Sequence, residues 1–136
     1  MKLGFNELLT AAADHLDADA NVVPPVLDFV PQGQAYPFIV LSLTGSTGQI
    51  IKGPTAVPVI LQLDVYSTYE GWMEPADIMS SVATSLVGVE LTLGGGFSAT
   101  LGLLDDDVLN LFAEKLFNEG EVIRHGTIGI QYTIFE

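Results

Sequence analysis

Val57-Pro58-Val59-Ile60-Leu61-Gln62-Leu63-Asp64-Val65-Tyr66 is the stretch on which the fold turns. Val57, Val59, Leu61, Leu63 and Val65 alternate with Pro58, Ile60, Gln62, Asp64 and Tyr66, the period of two that marks a strand. One of its faces is wholly apolar, so something must cover that face.

Two helices are available for the task. Phe5, Leu8, Leu9, Ala12 and Leu16 recur on one helical face, which predicts an amphipathic helix from Leu3 to about Leu16. Asp14, Asp17 and Asp19 lie at its unfavourable negative end, and Pro24-Pro25 cannot continue it. Beyond Glu70-Gly71, Pro75 suits the first turn of a second helix with Ile78, Met79, Val82 and Leu86 as its stripe, and Gly88 closes it.

The remaining segments read as strands and turns. Val26 to Val30 is a short strand, and Tyr36-Pro37 leads into the buried run Phe38-Ile39-Val40-Leu41-Ser42-Leu43. Gly45, Ser46, Thr47 and Gly48, then Gly53-Pro54, bracket Ile50-Ile51-Lys52 in a long loop. Val89 to Leu93 and Phe97 to Leu104 flank Gly94-Gly95-Gly96, which predicts a hairpin. Val108 to Phe117 suits a helix with Asp105-Asp106-Asp107 at its positive end, though a strand stays open. After Asn118-Glu119-Gly120, Val122 to Phe135 alternates as a long final strand.

The expectation is one α+β domain over residues 1–136, a mixed, mainly antiparallel sheet with two helices packed on it, three if 108–117 is helical. No repeat or linker divides the chain.

Composition narrows the function. Hydrophobic residues make up 49% and charged residues 15%, against about 25% in ordinary domains. So little charge on so apolar a chain predicts self-association or covering partners. Seventeen acidic residues against four basic ones give a net charge of −13. Lys2, Lys52, Lys115 and Arg124 are scattered, so specific nucleic-acid binding is not expected. Such acidity aids solubility, and it would also suit a channel that DNA must traverse without sticking. No signal peptide opens the sequence, which predicts synthesis in a cytoplasm, and serine, threonine and glycine interrupt the weakly charged 77–105 region, so no membrane span is expected.

Motifs for chemistry fail on inspection. Asp17, Asp19, Asn21 and Asp28 imitate a calcium loop, but Val22 stands where glycine is needed. Gly48 to Gly53 has the opening spacing of a P-loop, with Pro54-Thr55 in place of Lys-Ser/Thr. Gly96-Phe97-Ser98-Ala99-Thr100 lacks the second glycine of a hydrolase elbow, and His15 and His125 fall on a helix end and a strand. With two histidines and no cysteine, neither a metal centre nor a cofactor is expected, and no catalytic residue is assigned. Tyr69, Trp72 and Met73, just ahead of the second helix, are the candidate interface anchors; the competing reading places Trp72 as a lid on the core.

Tyr36-Pro37-Phe38-Ile39-Val40, the strand from Val59 to Ser67, the helix from Ile78 to Leu86 and the closing strand from Arg124 to Phe135 occur in an order that resembles the tail terminator, or tail-to-head joining, proteins of long-tailed bacteriophages, also called tail completion proteins. The likeness spans about Val22 to Phe135; the sequence departs from it at Gly94 to Gly96 and at Asp105 to Phe117, where the family more often reads as strand.

The resemblance implies a structural virion protein without enzymatic activity. It implies a hexameric ring at the tail-neck junction that caps the tail tube, stops its polymerisation and joins a head-tail connector or neck protein, with DNA passing through unbound. In that setting Gly45, Gly48, Ile50, Ile51, Lys52 and Gly53 would form a docking loop. The alternatives are another neck or tail-tube component, or a small acidic ligand-binding domain or enzyme.

Overall fold

The structure, a computed structural model, describes residues 3–44, 56–115 and 122–136. In chain order the elements are α1 (Phe5–Ala18), β1 (Val26–Leu27), β2 (Phe38–Thr44), β3 (Ala56–Ser67), α2 (Met73–Leu86), β4 (Ser98–Ala99), β5 (Leu103–Lys115) and β6 (Val122–Phe135). The class is α+β, as expected: one six-stranded sheet, mostly antiparallel, with two helices on it.

The strand read first is the sheet's centre. β3 pairs β2 on one side from Ile60 to Tyr66, and β6 on the other along its whole length, from Ala56 opposite Phe135 to Ser67 opposite Arg124. Val59, Leu61, Leu63 and Val65 are buried together with Ile128, Ile130, Tyr132 and Ile134 of β6. Leu8, Ala12 and Leu16 of α1 and Ile78, Val82 and Leu86 of α2 complete the same core.

Both helices carry the predicted stripes. α1 runs on to Ala18 and is capped by Asp19, whose carboxylate accepts the Asn21 N–H at 2.9 Å. That hydrogen bond holds Asp19 below the ordinary carboxylate range. The helices are tied together where His15 Nε2 meets the Ser85 carbonyl at 3.0 Å, near the C-terminal end of α2. Gly88, past that end, takes φ +74°, the left-handed conformation that terminates helices at least cost to glycine.

Two expectations require correction. Of the short strand predicted from Val26 to Val30, only Val26–Leu27 forms, parallel to β2, and Phe29 and Val30 project into solvent.

The hairpin across Gly94-Gly95-Gly96 does not form. The turn is there, with Gly95 and Gly96 at positive φ and the Phe97 N–H on the Gly94 carbonyl, but its arms build no strand ladder with each other and are joined by the Gly102 N–H on the Val89 carbonyl. Leu91, Leu93 and Phe97 plug the core, and Ser98–Ala99 pairs with β6 instead. Burying those three side chains is worth more than the few backbone bonds of a small hairpin.

The segment 108–117, open between helix and strand from its sequence, resolves as strand over 108–115, which belongs to β5 and pairs with β6, while 116–117 lie outside the described residues. β6 has only β5 to satisfy its second edge over 122–131, and unpaired backbone groups in a sheet are costly. The register jumps between Asp105 and Leu109, which face Gly129 and Ile128, so three residues bulge out.

Candidate functional site

Residues 67–73 form a turn that links β3 to α2 and presents an aromatic knob. Ser67, itself fully buried, organises the turn: its Oγ donates to Glu74 Oε1 at 2.8 Å and accepts the Tyr69 N–H at 3.1 Å. From β6, Arg124 Nη1 donates to the Tyr69 carbonyl at 2.8 Å, and the guanidinium lies 5.1 Å from the Trp72 ring centroid. The ring face is thereby held by a cation–π contact.

Tyr69, Trp72 and Met73 are brought together here and all three are exposed, Met73 at 71%. Trp72 therefore does not close the core. A shallow depression of about 600 Å³ lies beside the knob, lined by Thr68, Tyr69, Glu70, Gly71 and Met73. Large apolar side chains held in place at small entropic cost are the usual anchors of protein interfaces. The candidate docking loop, Gly45, Gly48, Ile50, Ile51, Lys52 and Gly53, lies outside the described residues.

The face of the sheet turned away from the helices carries a polar knot that the sequence did not disclose. Asp64 Oδ1 lies 2.7 Å from His125 Nε2 and accepts Thr127 Oγ1 at 2.8 Å, while Oδ2 accepts Gln62 Nε2 at 3.0 Å. Tyr66 stacks on His125 with centroids 4.2 Å apart, and Phe38 stacks on Tyr66 at 5.2 Å.

The residues of this row are register partners: Phe38 faces Tyr66, and Tyr66 faces His125. A hint was present in the alternation itself, since Asp64 and Tyr66, and likewise His125 and Thr127, stand two apart on one face. Which of them meet depends on strand pairing, which the alternation does not fix.

This knot ties β3 to β6: both carboxylate oxygens of Asp64 accept hydrogen bonds, and Thr127 Oγ1, 3.5 Å from His125 Nε2, donates to Asp64. Among the described residues no three of His, Asp and Glu converge as a metal-binding group. No described helix is long and apolar enough to cross a membrane.

Against known proteins, the family model for tail completion protein gp17 matches residues 7–117. The chain belongs to the tail completion protein gp17 family. This family is a structural phage tail family, in agreement with the resemblance carried by the strand and helix order. A solved structure titled "Virion of native gene transfer agent (GTA) particle" contains a chain of the same fold, with TM-score 0.78 and 18% identity over 96% of each chain. No curated protein matches the sequence. The chain is thus a tail structural protein of the virion.

Proposed function

We propose that this tail completion protein works as a hexameric ring at the tail-neck junction. In this reading the ring caps the tail tube, stops its polymerisation and joins it to the head connector. Family membership over residues 7–117 is the observation that carries the reading. The exposed Tyr69, Trp72 and Met73, of which Arg124 holds the first two, supply an anchor for the tube or connector protein.

The whole chain, 1–136, acts as one unit, made in the host cytoplasm and without catalysis of its own. The loop Gly45, Gly48, Ile50, Ile51, Lys52 and Gly53 is proposed, on its sequence, as a second docking element. The net charge of −13 would keep DNA mobile in the lumen, because like charge repels phosphate.

Light scattering of the purified chain, alone and with purified tail tubes, tests the ring. Six chains of 14.5 kDa give an expected mass of about 87 kDa. A chain that keeps the mass of one copy in both settings would falsify the ring.

A further inference from the structure

The depression beside the aromatic knob has a mixed lining. Tyr69 and Met73 give it an aromatic ring and a thioether, Thr68 a hydroxyl, Gly71 bare backbone and Glu70 a carboxylate. Glu70 is exposed, and among the described residues no cation pairs with it.

Tyr69 is fixed from three sides. Ser67 Oγ accepts its N–H, Arg124 Nη1 donates to its carbonyl, and its ring lies against Gly71, where a Cβ would stand 3.3 Å from Tyr69 Cε1. The ring therefore loses little freedom when something settles on it. Arg124 is engaged with the Tyr69 carbonyl and the Trp72 ring and does not line the depression.

Charge decides what such a lining accepts. Residues 67–77 hold three carboxylates, Glu70, Glu74 and Asp77, and no base; three negative charges against the one positive charge of Arg124 leave −2. An acidic side chain is repelled there. An apolar one would cover Glu70 without a partner, and an unpaired carboxylate taken from water is costly. A lysine or arginine satisfies every wall at once, since its stem can lie along Met73 and its cationic head can reach both Glu70 and the Tyr69 ring.

We propose that the depression at the turn between β3 and α2 receives a lysine or arginine side chain of the protein that the knob anchors, with Glu70 as its counter-ion and Tyr69 and Met73 as its walls. The inference rests on the knob's role as an anchor and adds the chemistry of the partner, a basic patch on the tube or connector. On a chain of net charge −13 such a patch also speeds encounter.

Biolayer interferometry of the full chain on immobilised purified tail tubes, and in turn on purified connectors, tests the assignment in Glu70→Gln and Tyr69→Ala, with circular dichroism to confirm that each variant is folded. Glu70→Gln keeps the size of the side chain and removes its charge. It is expected to weaken binding to one of the two surfaces about two- to fivefold, the contribution of one exposed charge pair, and the difference should vanish in about 1 M salt. Tyr69→Ala is expected to weaken binding to the same surface at least about fivefold at either salt concentration.

A loss in Tyr69→Ala with unchanged binding in Glu70→Gln leaves the knob as an anchor and overturns the cation. A Glu70→Gln loss that persists in high salt is no charge pair and overturns it too. Equal binding by the wild type and both variants, or binding by none, removes the anchor and the cation together. Light scattering closes the remaining route: a fall in the mass of the free chain in Glu70→Gln would mean that the cation comes from a second copy, and the proposal fails.

Discussion

Ile130 and Leu104 face each other across one rung of the sheet, and Ile128 and Leu109 across another, yet their fates differ. The isoleucines are 0% and 1% exposed, the leucines 38% and 51%. α2 packs mainly over β3 and β6, and at its margin Met79 and the Leu111 of β5 both close on Gly126. Hydrophobicity is equal on the two sides of the rung, so cover and not composition decides burial. The centre of the sheet is a core, and its end is a surface with the chemistry of a core.

The largest expected effect lies in that contrast. Ile130→Ala should cost about 2–5 kcal/mol of unfolding free energy, because it opens a cavity under α2. Leu109→Ala should cost below about 1 kcal/mol in the isolated chain, where the side chain is already half in water. Urea unfolding of both variants checks the pair at low concentration, and equal losses would erase the distinction between core and end.

A smaller loss is expected from the far face of the same strands. Asp64→Ala would leave His125, Thr127 and Gln62 without their shared acceptor and should cost about 1–3 kcal/mol. If urea unfolding shows no loss, the knot does not help hold the centre together.

Tyr132 gives the smallest effect and a sign that depends on pH. Its hydroxyl is buried with no hydrogen-bond partner, so Tyr132→Phe should be neutral or stabilising by about 1 kcal/mol at pH 7. Burial pushes the phenol well above its ordinary value of 10.0. The unfolded chain therefore releases this proton first, and wild-type stability should fall relative to Tyr132→Phe as pH rises past 10.0, by about 1.4 kcal/mol per pH unit. Paired unfolding curves between neutral pH and pH 11 measure the divergence; parallel curves would mean that the centre admits the phenolate.

How much was legible in the sequence followed the strength of the local signal. β3 and β6 announced themselves because alternation over more than ten residues fits only a strand with one buried face. The helices were legible through stripes such as Leu8, Ala12 and Leu16. Segment 89–93 misled because Leu91 and Leu93 alternate as a strand would, but spend that alternation on the core without a pairing partner. Segment 108–115 was ambiguous because its leucines suit either period, and pairing with β6 settled it. For the candidate site, clustering Tyr69, Trp72 and Met73 needed only their nearness in sequence. Their exposure, and the grip of Arg124 from 52 residues beyond Trp72, needed the fold.

By itself the sequence determined the class of fold, the two helices and the central strand, since each of these rests on residue spacing within a continuous stretch, and the order of those elements carried the resemblance to the family. Only the tertiary structure decided that Asp64 meets His125 and Thr127, and that the leucines of β5 stay exposed while the isoleucines opposite them on β6 are buried. The reason is physical: spacing fixes which side of an element is apolar, while pairing partners and the extent of a covering helix fix which apolar sides remain for another molecule to bury.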